Sequence, residues 1–178
     1  IVHHDEYQKM ATKQQTLEFS ISASRGNIYD RNAKVMAMSA TVYKLIFSPI
    51  DLLKSVPNKD EKGKLLDQAV YDANVAARQD QMVEELMALV PTLDREKVVK
   101  QVHNTKAAYW EVKVNIEEED KQVFQEYITE YKTASYLYLI TSTKRYYPYS
   151  GLAAQALGFV NANGGAYGIE AVYNDMLE

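Results

Sequence analysis

The chain has no cysteine. Disulfides, thiolate metal sites and a cysteine nucleophile are therefore excluded, while the compartment stays open, because reduced cytosol and many exported bacterial proteins both tolerate this lack. Histidine is scarce: His3, His4 and His103 form neither His-x-x-x-His nor His-Glu-x-x-His, so no zinc site is expected. Ser-x-x-Lys does not occur. Ser142-Thr143-Lys144-Arg145 puts Arg where the base would stand, and a guanidinium with a pKa above ~12 cannot take a proton. Lys132-Thr133-Ala134 lacks the glycine of a Lys-Thr-Gly strand motif. The glycine-rich stretch 163–168 is not Gly-x-Gly-x-x-Gly and follows an expected helix, so it reads as a turn rather than a phosphate cradle. No apolar run approaches the ~20 residues of a membrane span, and no signal peptide is recognisable. An excess of one charge is missing as well. The 20 basic and 24 acidic residues are interspersed for a net charge of −4, which argues against a nucleic-acid or anionic-membrane footprint.

What is present is enough apolar material for a core, 47% of 178 residues, in one domain or two small lobes. The 14 tyrosines suit half-buried strands, or contact surfaces with a wet edge. The chain opens on Ile1 rather than Met, as expected for a start set by processing or by excision from a longer protein.

The periodicity predicts an order of elements. Residues 3–15 are polar and helix-compatible, the pattern of an exposed linker helix. Leu17, Phe19, Ile21 and Ala23 then alternate with polar residues as a half-buried strand that Gly26 breaks. Asp30 to Lys34 reads as a turn, with Val35 to Ser39 and Val42 to Phe47 as two extended pieces and Pro49 as their end. Glu61 to Leu89 is predicted helical, with Leu65, Leu66, Ala69, Val70, Ala73 and Ala76 as one apolar face, an interruption at 78–81, and Met82, Val83, Leu86 and Met87 as a second face. A short helix is expected over Asp94 to His103, and a strand comes next with Trp110, Val112, Val114 and Ile116 inward. Glu117 to Tyr131 reads as a helix whose acidic first turn suits the helix dipole. Tyr136 to Ile140 is a third strand. Ser150 is positioned to cap a helix through Leu157 that Gly158 ends, and Ile169 to Leu177 is a final helix expected to be cut at the chain end. The order is α+β rather than alternating βαβ, with no repeats.

Two runs carry a resemblance. Arg25-Gly26-Asn27-Ile28-Tyr29-Asp30-Arg31-Asn32, continuing to Ser39, resembles the Arg-Gly-x-Ile-x-Asp-Arg-Asn-Gly segment that opens the non-catalytic region of class B penicillin-binding proteins. Arg145-Tyr146-Tyr147-Pro148, then Leu157-Gly158-Phe159-Val160, then Gly168-Ile169-Glu170, resembles the Arg-x-Tyr-Pro, Leu-Gly-x-Val and Gly-x-Glu series that closes it. Ala33 departs from the family's usual glycine, so Asn32 or Lys34 is expected to absorb any positive φ, and Met36 replaces the usual leucine.

The resemblance implies an elongated α+β pedestal, also called a dimerisation domain. Its base is expected from residues 17–50 and 131–178, its helical head from 51–130, and its membrane-proximal linker helix from 1–16. It implies no catalytic, metal or cofactor residue in the chain. A serine transpeptidase domain would lie beyond Glu178 and a membrane anchor upstream, with the whole on the extracytoplasmic face of a bacterial membrane. Implied partners are a polytopic peptidoglycan glycosyltransferase, other cell-wall synthesis proteins, the chain's own transpeptidase domain and a second copy, with no nucleic acid. Tyr43, Phe47 and Pro49 look more like division- or sporulation-type relatives than low-affinity resistance types. The expected structural and interaction residues are Arg25, Gly26, Asp30, Arg31, Asn32, Arg145, Tyr147, Pro148, Gly158, Gly168 and Glu170. Arg25, Arg31 and Arg145 supply forked donors to Asp30 and Glu170, and Arg25 or Arg145 is expected to pair with Glu170. The alternative is solvated surface pairing worth roughly 0–1 kcal/mol. Two other functions are open at this level: a hydrolase using His103 with a carboxylate from Glu117 to Asp120, and an extracellular glycan- or peptide-binding module that stacks on Trp110 and the tyrosines.

Overall fold

A computed structural model describes residues 24–149, 154–161 and 164–178. The expected linker helix, the strand at 17–23 and the cap at Ser150 lie outside the described residues. The frame is a long antiparallel ladder between β2 (Val35–Phe47) and β4 (Leu137–Tyr146), running without a break from Met38 opposite Tyr146 to Phe47 opposite Leu137. At ~3.4 Å per residue it is roughly 30 Å long. Both strands are rich in β-branched and aromatic residues that fit a pleated surface. β1 (Ile28–Tyr29) pairs with the start of β2, and β3 (Trp110–Ile116) pairs with its end. The two extended pieces predicted between Val35 and Phe47 are thus one strand, because β4 supplies backbone partners straight across Ala40 and Thr41.

Pro49 starts an element as well as ending one. It occupies the first turn of α1 (Pro49–Ser55), where its missing N–H costs nothing. The buried Ser48 hydroxyl donates to Asp51 Oδ2 at 2.6 Å beside it. Helix α2 (Gln68–Leu89) begins later than predicted and has no interruption. Residues 60–64 form a turn in which Asp60 Oδ1 accepts from the Lys62 and Lys64 amides at 2.9 and 2.8 Å. The first apolar face, at Leu65, Ala69, Val70, Ala73 and Ala76, lies exposed. Only the second, at Met82, Val83 and Leu86, is buried. Of the polar residues expected to break the helix, Asp80 and Gln81 stay exposed while two turn inward: Gln79 donates to Val102 O at 3.2 Å, and Arg78 reaches Glu85 and Tyr136.

Helix α3 (Arg95–Val102) is capped by Asp94, whose side chain accepts from the Lys97 amide at 2.9 Å. Helix α4 (Glu118–Glu130) buries Phe124 and Ile128. The apolar core gathers at the end of the ladder where β3 joins. Phe47 stands edge-on to Trp110 and Tyr136, with ring centroids 6.3 and 6.5 Å away, and Leu45, Met82, Leu86 and Leu137 are fully covered. β3 departs from strict alternation, with Val114 exposed. Asn115 takes a φ of 55° where the register slips between Tyr43 and Leu45, and this bulge turns the strand face.

At the other end of the ladder, α5 (Ala154–Leu157) stops at Gly158, which has φ 78°. The glycine stretch expected as a simple loop supplies one side of a small hairpin, β5 (Val160–Asn161) with β6 (Gly164–Gly165). The single final helix expected there is two, α6 (Gly168–Val172) and α7 (Asn174–Leu177), parted at Tyr173. Asn174 is drawn inward at that break, its Oδ1 accepting from the Gly165 amide at 2.7 Å. Among the described residues no helix is long and apolar enough to cross a membrane.

Candidate functional site

Asp30, the acidic residue of the first run, serves its own turn. Its carboxylate accepts from the amides of Asn32 at 2.7 Å and Lys34 at 2.8 Å, and the Lys34 amide above all holds its pKa below the usual carboxylate range. Ala33 itself carries the positive φ, 60°, that Asn32 or Lys34 was expected to absorb, because the bond from Ala33 N to Asp30 O closes the turn there. Arg31 and Asn32 are exposed on this turn. Asp30 and Arg31 therefore do not join the two ends of the chain.

Arg25, Arg145 and Glu170 do meet. Glu170, on α6, is fully buried; its Oε2 accepts from Arg25 Nε at 2.7 Å and its Oε1 from Arg145 Nε at 2.8 Å. Tyr147 donates to the same Oε1 at 3.3 Å, and its phenol is pushed up by burial and then by the Glu170 charge. Both arginines also bind main chain. Arg25 Nη2 donates to Glu170 O at 2.7 Å, and Arg145 Nη1 donates to Gly26 O at 2.8 Å and to Ser39 Oγ at 3.1 Å. Arg25 Nη1 donates to Asn174 Oδ1 at 3.0 Å, and the Gly26 amide to Leu177 O at 2.7 Å. One carboxylate thus ties three distant stretches: the start of the described chain, the end of β4, and α6.

Two glycines permit the close approach around this cluster. A Cβ on Gly158 would lie 1.8 Å from Tyr167 O, and one on Gly168, whose φ is 65°, would lie 2.5 Å from Ala156 O. Only glycine accommodates both the dihedral and the contact. Pro148 comes after Tyr147 in the turn that leaves β4.

A second polar network escaped prediction. Arg78 donates to Glu85 at 3.1 and 3.2 Å and to the Tyr136 hydroxyl at 2.9 Å, while Tyr127 donates to Glu85 Oε2 at 2.8 Å. Burial, then Glu85, pushes the Tyr127 phenol up. The two-turn spacing of Arg78 and Glu85 on one helix was the available signal.

The residues of the hydrolase reading are engaged separately. His103 Nδ1 lies 2.9 Å from Val99 O and its Nε2 lies 3.6 Å from Asp80, at the end of α3. Glu118 accepts from Tyr43 OH at 2.6 Å, and Glu117 from Tyr146 OH. Trp110 is 8% exposed against Phe47, so it is part of the core and no stacking platform. No cluster of metal-ligand side chains occurs among the described residues.

The model of the penicillin-binding protein dimerisation domain matches residues 20–178. The chain belongs to that family. The match encloses every residue of the Arg25–Arg145–Glu170 cluster. Solved penicillin-binding proteins share the fold at low identity. Penicillin-binding protein 2X from Streptococcus thermophilus is 19% identical, with a TM-score of 0.53 over 87% of this chain and 23% of its own. Penicillin-binding protein PBP2 from Helicobacter pylori, solved in complex with MreC, is 19% identical, with a TM-score of 0.54 over 86% of this chain and 28% of its own. The same protein alone gives a TM-score of 0.51 at 19% identity over the same shares. The dimerisation-domain chain thus spans about a quarter of the length of these proteins. No curated protein sequence matches it.

Proposed function

We propose that this domain is the non-catalytic pedestal of a class B penicillin-binding protein, a peptidoglycan transpeptidase of division or sporulation type. The observation that carries this reading is the Glu170 cluster at one end of a ladder whose other end holds the apolar core. Residues 17–50 and 131–178 act as a base and 51–130 as a head, with residues 1–16 as the linker from a membrane anchor. Fixing Arg25 beside α6 makes the entry and exit of the domain one rigid junction, so an anchor ahead of it can set the position of a catalytic domain behind it. The head stands roughly 30 Å away along the strands, free to meet a glycosyltransferase or other cell-wall proteins on the extracytoplasmic side. A second copy is a further partner within this reading. The serine nucleophile and its lysine lie beyond Glu178.

The test is to express the complete gene product and label it with a fluorescent penicillin. Acylation is expected at a serine outside residues 1–178, with co-purification of a polytopic glycosyltransferase through this domain. A complete product that takes no label, or that lacks an upstream membrane span, overturns the reading.

A further inference from the structure

An open cleft of about 670 Å³ lies at the head end of the ladder, between the chain from Ser55 to Leu66, helix α2 at Asn74 and Arg78, and the turn from Lys132 to Tyr136. Clefts of this size hold a small molecule or a few residues of peptide. Its apolar lining is Val56, Pro57, Leu66 and Tyr136. The walls are fixed by their own bonds. Leu66 N donates to Asn58 O at 3.0 Å and Asp60 N to Lys64 O at 2.8 Å across the loop, and Tyr136 N donates to Thr133 O at 2.9 Å in the turn.

The charged groups of the lining differ in what they have left to bind. Asp60 spends its carboxylate on the Lys62 and Lys64 amides, and Arg78 spends its terminal nitrogens on Glu85 and Tyr136. Lys59 and Lys132 line the cleft with no ion pair among the described residues, and Glu61 is the one uncommitted carboxylate set against them. Lys132 holds a φ of 52° just past the end of α4, where the Thr133 amide closes the turn on Ile128 O at 3.1 Å. Glycine is the residue that this position favours. A lysine there gives up backbone ease and gains an ammonium group at the cleft.

We propose that the cleft binds a short peptide by its free terminal carboxylate. Lys59 and Lys132 hold the carboxylate, the apolar lining takes the last side chain, and Asn74 and Ser135 meet the neighbouring peptide group. The Ser55 hydroxyl donates to Leu52 O at 2.6 Å, so its oxygen is left to accept a peptide N–H. An inorganic anion would leave the apolar lining wet, and a cation would meet two ammonium groups. A nucleotide base finds no open ring to stack on, since Tyr136 is 6% exposed. The inference rests on these residues alone and stands apart from the pedestal reading above.

The test uses the complete protein and two probes, N-acetyl-leucyl-leucine and its C-terminal amide, with binding read by saturation-transfer NMR. The acid is expected to bind about tenfold more tightly than the amide, the worth of one charge-assisted contact at a wet site. Lys132→Gly should remove most of that preference while leaving the thermal midpoint unchanged or raised, because glycine suits the turn. Lys132→Arg should keep the preference, and Lys59→Gln, on the loop wall, should weaken it without touching the turn. Equal binding of acid and amide, no binding of the acid at millimolar concentration, or a preference that survives both Lys132→Gly and Lys59→Gln overturns the inference.

Discussion

The two ends of the β2–β4 ladder are held by different physics. At the head end, Phe47, Leu86, Trp110 and Leu137 exclude water together, and their attraction is non-directional and tolerant of exchange between similar side chains. At the base end a single carboxylate, 0% exposed, is held by two guanidiniums that are themselves 10 and 7% exposed. Burying such charges carries a desolvation cost that their attraction only partly offsets, so the cluster contributes little net stability but permits one arrangement of its partners. The apolar end makes the domain stable, while the charged end decides which three stretches of chain meet.

The strongest way to break this contrast is at the head. Phe47→Ala is expected to lower unfolding free energy by about 3–5 kcal/mol, read from urea denaturation, through lost burial and a cavity between Trp110 and Tyr136. A loss below about 1 kcal/mol would mean that the site collapses and the core is not close-packed.

Glu170→Gln comes next, at about 3 kcal/mol, because it leaves two buried cations without their counter-charge. Its signature is local: hydrogen exchange should quicken at 168–178 while Trp110 fluorescence stays unchanged. An unaltered thermal midpoint sinks the buried-clamp idea. Replacing all three partners by apolar residues, Arg25→Met, Arg145→Met and Glu170→Leu, should recover most of the loss.

Ala33→Gly sharpens the picture of the Asp30 turn. Relief of the left-handed backbone outweighs the added freedom of the unfolded chain, and a gain of about 0.5–1 kcal/mol is expected in the same denaturation assay.

The smallest effect is alkaline. Burial, and then hydrogen bonding to Glu111, raises Tyr109 from 10.0 to about 12. A raised folded pKa means that its stabilisation is complete below pH 10 and is lost as pH climbs toward 12. Tyr109→Phe should flatten that part of the stability profile, and phenolate absorbance should show one late-titrating tyrosine fewer.

Local signals are strong where neighbours in sequence are neighbours in space. The Asp30 turn, the Asp94 cap, the stop at Gly158 and the acidic start of α4 are all legible in short windows. Misreadings arise where a partner is remote. Ala40 and Thr41 look like a gap until β4 lies beside them, and residues 78–81 look like a break until Glu85, Tyr136 and Val102 receive their polar groups. The apolar face at Leu65 to Ala76 looks like core, yet no element packs over it among the described residues. Trp110 reads equally well as a contact surface, because one strand cannot reveal which side its neighbours cover.

By itself the sequence determined the α+β order of elements, the absence of a nucleophile-and-base motif and two motif runs bracketing most of the chain, since composition and period are properties of the chain alone. Only the tertiary structure decided that Glu170 takes both Arg25 and Arg145 while Asp30 and Arg31 stay with their own turn. Ion pairing depends on where side chains end up and on how much water is removed, and residues 145 positions apart have no local signal for either.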